Sequence, residues 1–206
     1  MNQDGTDFYQ NHFREYFKRT VAINPAPFLT PLIDNLAKDA TVLDIGCGSG
    51  RDLLWLKERG FRVTGFERSP GLAKLAAAHA GCDVITGDFE QYDFSRFSFD
   101  AVMACGSLVH VPQGRLAGVL QNILRALTPS GISYVSLKQG RGLKSDAFGR
   151  TFYFWEKTLL DELWRELGLT VVHAAASRSA LNSGDDWLAY VLRPLPAPLN
   201  PLNLAP

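Results

Sequence analysis

The chain of 206 residues has little of several features that mark large classes of proteins. Lys and Arg together number 21, as do Asp and Glu, so neither sign is in excess to attract nucleic acid or a charged membrane surface. No apolar run is long enough to cross a bilayer, and the polar stretch 1–5 lacks the apolar core of a signal peptide. Only three cysteines are present, and their wide spacing fits neither a metal-ligand pair nor a disulfide framework.

These absences lead to several expectations about class. We expect a cytoplasmic protein with reduced thiols, no metal centre and no association with membranes. Nucleic acid is disfavoured as a partner, because the one modest basic cluster, within 138–150, is diluted by glycines and an aspartate. At 46% hydrophobic residues the chain is an ordinary globular protein, long enough for one domain with a sizeable core.

The most informative segment present is 42–52, with the sequence VLDIGCGSGRD. It predicts a buried strand, a turn with three glycines at alternate positions, and the start of a helix. Glycine lets a ligand approach the backbone closely, and a helix N-terminus offers free N–H groups with a positive dipole end. Asp44 lies two residues before the first glycine, where it can meet a cation or an ammonium group. The combination indicates a nucleoside ligand with a positive end, of which S-adenosylmethionine is the commonest.

Short apolar strands alternate with helices through the middle of the chain. This rhythm predicts an α/β fold, a doubly wound parallel sheet with helices on both faces. Two closing strands, a hairpin at the sheet edge, are predicted at 169–176 and 187–193, after a glycine-rich, aromatic stretch at 139–155. We divide the chain into an N-terminal helical lid (1–40), the main domain (41–193) and a proline-rich tail (194–206). The predicted strands of the parallel part are 41–45, 62–67, 83–86, 99–104 and 132–137.

Ligands of such sheets bind beyond the carboxyl ends of the strands, where further candidate residues lie. Glu67 ends the second strand about twenty residues after the glycines, where an acid accepts hydrogen bonds from ribose hydroxyls. After the third strand, Asp88 can take an adenine amino group while Phe89 packs on the ring. After the fourth, the backbone at Cys105 can hold an ammonium group. The full predicted cofactor set is Asp44, Gly46, Cys47, Gly48, Gly50, Glu67, Arg68, Asp88, Phe89 and Cys105.

For three residues of this set a purely structural role remains an alternative. Cys47 fits the glycine loop through its small size alone. Arg68 is equally well explained as a surface charge, and Phe89 as a core residue. The rival ligand is a dinucleotide, whose fingerprint needs glycine at the first, third and sixth positions. Here the sixth position is Arg51, and Asp44 would oppose a pyrophosphate, so a nicotinamide oxidoreductase is disfavoured.

Residues 41–137 resemble the core of the class I S-adenosylmethionine-dependent methyltransferases. The resemblance rests on the glycine loop, the acid at strand two, Gly87-Asp88-Phe89, the strand 99–104, and the turn 128–131 with serine in place of a glycine. It implies a Rossmann-like sheet of seven strands in the order 3-2-1-4-5-7-6, with the last strand antiparallel. It also implies S-adenosylmethionine as the cofactor and methyl transfer as the activity, without choosing the acceptor.

Fewer sequence features indicate where the methyl acceptor binds. His110 follows strand four on the ligand side, and we weigh it as a general base against a structural histidine that bonds the loop backbone. The predicted acceptor pocket includes Tyr16 from the N-terminal segment together with Arg150 and Tyr153. We expect a small-molecule acceptor and a monomer or homodimer. An RNA or protein methyltransferase and a catalytically silent S-adenosylmethionine-binding protein are the alternatives.

Overall fold

A computed structural model describes residues 6–181 and 183–195 of the chain. The helices are α1 Thr6–Asn11, α2 Phe13–Thr20, α3 Ala26–Ile33, α4 Arg51–Lys57, α5 Pro70–Ala80, α6 Gln113–Leu124 and α7 Lys157–Glu166. The strands are β1 Thr41–Ile45, β2 Arg62–Glu67, β3 Val84–Thr86, β4 Phe99–Cys105, β5 Leu127–Gln139, β6 Leu143–Ser145, β7 Thr151–Trp155, β8 Leu169–Arg178 and β9 Asp186–Pro194. Two short 3₁₀ helices lie at Phe94–Arg96 and Leu108–His110.

The main sheet confirms the predicted doubly wound α/β fold. Strands β3, β2, β1, β4 and β5 lie side by side in that order and are all parallel. Strand β9 then pairs antiparallel with β5, and β8 pairs antiparallel with β9 at the edge. Because the carboxyl ends of the five parallel strands meet at one edge, the residues that follow β1, β2 and β4 converge on the same cleft.

Within the described residues the sheet has nine strands, two more than the resemblance implies. The additional two, β6 and β7, form an antiparallel hairpin within the glycine-rich, aromatic stretch 139–155. Strand β7 pairs with β5 only at Lys138 and Gln139, beyond the point where β4 ends. The hairpin therefore stands over the carboxyl ends of the strands, next to the 3₁₀ helix that carries His110.

The turn predicted at 128–131 lies inside β5. Strand β4 pairs with β5 at Phe99↔Leu127 and again at Ala101↔Ile132, so the register shifts between these points. The extra residues of β5 are accommodated as an irregularity, because Gly131 and Pro129 allow the backbone to depart from the ladder without ending the strand. Of the predicted tail, Pro194 closes β9 opposite Leu169, and residues 196–206 lie outside the described part of the chain.

Two layers of buried side chains hold the sheet between its helices. One cluster includes Leu43, Ile45 and Val135 with α6 and α7. The other includes Val42, Met103 and Tyr134 with α3 and α4. Each face of β1 thus packs against a different helix layer, so the glycine turn that follows β1 is anchored on both sides. No helix among the described residues combines the length and apolar character needed to cross a bilayer.

Candidate active site

A cleft opens at the carboxyl edge of the sheet. Its empty volume is about 940 Å³ when the open mouth is included. The α1–α2 segment lies along one wall. The lining residues are Tyr9, Gln10, Tyr16, Gly46, Gly48, Phe66, Glu67, Arg68, Ser69, Leu72, Phe89, Glu90, Cys105, Gly106, Ser107, His110 and Val111.

The three glycines after β1 have different tasks. All have positive φ, at 69° for Gly46, 57° for Gly48 and 73° for Gly50, which L side chains rarely adopt. A Cβ at Gly46 would stand 2.4 Å from the Cβ of Ser107, and one at Gly50 would stand 2.8 Å from the carbonyl oxygen of Ala76. Gly46 and Gly50 therefore permit close packing of the loop, while Gly48 presents bare backbone to the cleft.

Glu67 joins the glycine loop to the end of β2. The backbone N–H of Gly48 donates to its Oε2 at 3.0 Å, and the N–H of Ser69 donates to its Oε1 at 2.9 Å. Burial raises the pKa of this carboxyl, while the hydrogen bonds from the backbone of Ser69, Gly48 and Arg68 oppose that rise. The carboxylate lines the cleft, so a buried hydrogen-bond acceptor faces it.

Asp44 is buried behind the same loop. Its Oδ2 has no hydrogen-bond partner among the described residues. Burial raises the pKa of this carboxyl well above its usual range; the nearby acids Asp52 and Glu67 add to the rise, and Arg51 opposes it. Arg51 is engaged by Asp52 at 2.7 Å. An unpartnered buried carboxylate oxygen is unfavourable unless a proton or a cationic ligand group satisfies it.

The apolar wall of the cleft is formed by Phe66, Leu72 and Phe89. Next to it, the carboxylate of Asp88 accepts from the N–H of Glu90 at 3.0 Å and forms an ion pair with Arg68 at 3.3 Å. Arg68 lines the cleft, whereas Asp88 lies behind the wall and holds the turn. The assignment of Asp88 to an adenine amino group stays a prediction.

The two cysteines of the predicted set lie in different environments. Cys47 packs with Leu53 and Ala76 in a small apolar cluster on the far side of the loop. Cys105 lines the cleft at the end of β4. Burial raises the pKa of both thiols well above the usual range, so both remain protonated near neutral pH. Neither is an activated nucleophile.

His110 lines the same cleft and is held between two partners. Its Nδ1 is 2.6 Å from the carbonyl oxygen of Thr151, and its Nε2 is 3.0 Å from the hydroxyl of Tyr9. Since a carbonyl only accepts, Nδ1 carries the hydrogen and Nε2 accepts from Tyr9. Burial lowers the pKa of this imidazole, and the charges of Arg150 and Lys138 lower it further. The ring is a neutral base with one defined basic nitrogen.

The N-terminal helices supply two tyrosines to the cleft. Tyr16, which was predicted, lies 3.4 Å from the Cβ position of Gly48, and its ring meets that of Tyr9 edge to face at 5.1 Å. Tyr9 was not singled out from the sequence, where its only signal is the aromatic richness of the segment. Phe17, which follows Tyr16 in α2, packs against His79 on α5.

Arg150 and Tyr153 do not line the cleft. The guanidinium of Arg150 forms an ion pair with Asp146 at 2.6 Å and lies 3.9 Å above the ring of Phe8. Tyr153 pairs with Leu143 across the β6–β7 hairpin. Arg150 therefore connects the hairpin to α1 behind the cleft wall, and a direct contact of either residue with the acceptor stays a prediction.

An open parallel sheet with a glycine turn after β1 and an acid at the end of β2 defines a class, the nucleoside-binding α/β proteins. Within that class, residues 42–131 match the family described as a methyltransferase domain. This match covers most of the segment that resembles the class I S-adenosylmethionine-dependent methyltransferases in the sequence, and it agrees with that resemblance.

Individual relatives agree with this assignment. A sterol 24-C-methyltransferase of Candida albicans is 32% identical over 148 residues, covering 62% of this chain and 38% of its own length. A 2-methyl-6-phytyl-1,4-hydroquinone methyltransferase of Synechocystis is 32% identical over 136 residues, covering 64% of this chain and 41% of its own. The chain thus spans about two fifths of the length of these curated relatives.

A solved structure extends the likeness over nearly the whole chain. The 1,6-didemethyltoxoflavin-N1-methyltransferase of Burkholderia thailandensis superimposes with a TM-score of 0.73 at 25% identity, covering 92% of this chain and 86% of its own. That protein was crystallised with 1,6-didemethyltoxoflavin and S-adenosylhomocysteine.

Proposed function

We propose that this protein transfers a methyl group from S-adenosylmethionine to a small-molecule acceptor. The observation that carries the proposal is the pairing of two buried carboxylates around one glycine turn: Glu67 faces the cleft, and Asp44 has an oxygen without a partner. A ligand with a ribose and an ammonium group satisfies both. A dinucleotide would satisfy Glu67 but would set a negative pyrophosphate near Asp44.

The residues present fit this cofactor. Glu67 would accept from the ribose hydroxyls with the lone pairs that Gly48 and Ser69 leave free. The wall formed by Phe66, Leu72 and Phe89 offers apolar packing for a purine. Ser107 Oγ, buried at the cleft and without a partner among the described residues, is a further polar group for the ligand. When bound, S-adenosylmethionine supplies an activated methyl group on a sulfonium.

The chain's own residues then have three tasks. The cleft aligns the acceptor with the donor, and alignment alone accounts for much of the rate of a displacement whose donor is already activated. The tyrosines of α1 and α2 cover the cleft and exclude water. His110 accepts the acceptor's proton at Nε2, while the carbonyl of Thr151 stabilises the resulting imidazolium through Nδ1–H.

A small acceptor is favoured over RNA or protein by the covering of the cleft and by the zero formal net charge. We also propose a cytoplasmic location, supported by the three free cysteines, and a monomer or homodimer. Size-exclusion chromatography with light scattering tests the oligomeric state. A mass larger than that of a dimer would contradict the proposed oligomeric state.

Calorimetry with S-adenosylmethionine, S-adenosylhomocysteine and NAD tests the cofactor. We expect the first two to bind and NAD to show no binding. Failure of both adenosyl ligands to bind would end the proposal. A screen of small acceptors with detection of S-adenosylhomocysteine then separates an enzyme from a silent binding protein, since only an enzyme forms the product.

A further inference from the structure

The phenol side chain of Tyr9 occupies the end of the cleft at which we place the acceptor. The Tyr9 hydroxyl donates to Nε2 of His110, the one ring nitrogen able to take a proton. We propose that the methyl acceptor is a neutral, planar aromatic molecule with a hydroxyl group, and that it binds by replacing the Tyr9 phenol at His110. This inference rests on the proposed function and deepens it by naming the class of acceptor.

Nε2 of His110 has one lone pair, for which the acceptor must compete with Tyr9. Thr151 fixes the hydrogen on Nδ1, so Nε2 accepts one hydrogen bond, and Tyr9 provides it. An acceptor that loses its proton to His110 must donate to the same lone pair. Tyr9 does not serve as a relay, because burial raises the pKa of its phenol and makes the phenolate less accessible. Acceptor and Tyr9 therefore compete for one atom.

The aromatic rings around Tyr9 favour a planar aromatic acceptor. The Tyr9 ring meets Tyr16 edge to face at 5.1 Å and His110 at 5.7 Å, and the ring of Phe152 lies 4.7 Å from that of His110. These spacings are those of favourable aromatic pairs. A planar aromatic acceptor in the place of Tyr9 keeps the same edge contacts, whereas a bulky aliphatic ring does not.

The neutrality of the acceptor follows from the charges nearby. Arg150 is paired with Asp146, and Lys138 is paired with Asp185 while its ammonium lies 4.2 Å from the ring of Phe152. Neither cation lines the cleft. Arg150 lies close enough to the Tyr9 phenol to oppose the rise of its pKa, but its charge is offset by Asp146, so a carboxylate or phosphate at the His110 end would lose its hydration without meeting a net positive charge there.

The acceptor, the methyl donor and His110 account for every bond and proton that changes in the transfer. The acceptor's O–H bond breaks and its proton goes to Nε2 of His110. The acceptor oxygen forms a bond to the donated methyl carbon. The carbon–sulfur bond of the donor breaks, its electron pair stays on sulfur, and S-adenosylhomocysteine leaves. The imidazolium keeps its Nδ1–H bond to Thr151 until the proton is returned to solvent.

Binding of phenol itself tests the inference without turnover. Calorimetry measures its affinity for the wild type, Tyr9→Phe and Tyr9→Ala, and nitrogen NMR of the histidine side chains shows whether it reaches Nε2 of His110. Loss of one neutral hydrogen bond that competes for Nε2 predicts about two- to tenfold tighter phenol binding in Tyr9→Phe. Tyr9→Ala removes the competing ring as well and tightens binding at least as much.

The controls isolate the hydroxyl and the charge. Tyr190→Phe removes a tyrosine hydroxyl that bonds Asp161 and is not part of the cleft lining, and it leaves phenol affinity within about twofold. Anisole, which has no proton to donate, and benzoate, which is charged, bind more weakly than phenol to every variant. Equal phenol affinity in the wild type and both Tyr9 variants, or an Nε2 resonance that phenol does not shift, overturns the inference.

Calorimetry with S-adenosylmethionine on the same samples keeps the two proposals apart. If the cofactor does not bind, the proposed function has failed. If it binds to the wild type and phenol does not reach His110, this inference alone has failed. In turnover assays the inference predicts that aryl hydroxyl acceptors form S-adenosylhomocysteine, and turnover confined to carboxylate or alkylamine acceptors contradicts it.

Discussion

The two ends of the cleft are built in different ways. At the cofactor end, Gly48 and Glu67 lie 19 residues apart and are joined by one hydrogen bond between adjacent strand ends. At the acceptor end, Tyr9 and His110 lie 101 residues apart, and His110 and Thr151 lie 41 apart. One end is a local product of the β1–α4–β2 unit, and the other is assembled from α1, a 3₁₀ helix and β7.

This difference decides how each end responds to change. The residues of the cofactor end lie within the parallel sheet, so substitutions there disturb the packing of the core as well as ligand binding. The acceptor end joins segments that the sheet does not hold in register, and its contacts are single hydrogen bonds and ring edges. We therefore expect larger effects of substitution at the cofactor end and smaller, chemically specific effects at the acceptor end.

Gly46→Ala is expected to have the largest effect on stability. The new Cβ would stand 2.4 Å from the Cβ of Ser107, at a φ of 69°. Left-handed backbone costs about 1–2 kcal/mol and overpacking about 1–3 kcal/mol, so the free energy of unfolding should fall by roughly 2–5 kcal/mol. Urea unfolding measures it.

Gly118→Ala is the matched control. Gly118 lies in α6, is exposed, and has no atom within 4 Å of its Cβ position. Replacing glycine by alanine in a helix interior should raise the free energy of unfolding by about 0.5–1 kcal/mol. Similar losses in both variants would contradict the view that the glycine turn is held by contact with Ser107.

Glu67→Ala should have the largest effect on cofactor affinity. It removes the predicted ribose acceptor and leaves the N–H groups of Gly48 and Ser69 without their partner. Loss of hydrogen bonds to a charged acceptor predicts a fall of about a hundredfold in S-adenosylmethionine affinity, measured by calorimetry. Glu90→Ala, at another lining residue, should change the affinity by less than about threefold, and equal effects would argue against the ribose assignment.

Much of the cofactor end could be predicted because its signals are local. The bounds of β1 and β2 agree with the predicted strands 41–45 and 62–67, and β1 is followed directly by the glycine turn that begins at Gly46. The direction of individual side chains was harder to predict. Cys47 and Asp88 belong to the expected motifs, but the structure turns them away from the cleft lining.

The acceptor end could be predicted only in part. Phe152 and Phe154 lie two residues apart in β7, and both approach the ammonium of Lys138, at 4.2 Å and 5.6 Å. The hairpin itself was missed because Gly140, Gly142 and Gly149 interrupt the alternation and its register depends on pairing with the end of β5. No spacing rule relates Tyr9 to His110.

Asp44→Asn should change stability and cofactor affinity in opposite directions. Burial raises the pKa of Asp44 well above its usual range, so at pH 7 its charge destabilises the ligand-free fold. The amide should raise the free energy of unfolding by roughly 1–2 kcal/mol and weaken S-adenosylmethionine binding about tenfold. Because the folded pKa is raised, the stability gain shrinks as the pH falls toward 3.8, where the unfolded chain also binds the proton.

Asp100→Asn is the control with the opposite sign. The side chain of Asp100 accepts from the N–H and the hydroxyl of Thr41, both at 2.8 Å, and these bonds lower its pKa. The amide should therefore reduce stability at pH 7. Thermal unfolding without ligand compares the two variants, and a loss of stability in Asp44→Asn would show that a partner already satisfies the carboxylate.

The smallest expected effect is the pH dependence that His110 confers. Burial lowers the pKa of His110 in the folded protein, whereas the unfolded chain binds a proton near pH 6.5. Stability from the neutral ring is complete above pH 6.5 and declines as the pH falls below it, by up to about 1.4 kcal/mol for each pH unit. His110→Gln removes this contribution, so the variant should lose less stability than the wild type between pH 7 and pH 5.5.

His173→Gln, at an exposed position of β8, should keep the slope of the wild type. Urea unfolding at several pH values measures all three proteins under the same conditions. Identical slopes for the wild type and His110→Gln would mean that folding does not lower the pKa of His110. A steeper loss of stability in His110→Gln than in the wild type would mean that the fold favours the imidazolium, whose Nε2 donates to Tyr9 and could not take a proton from an acceptor.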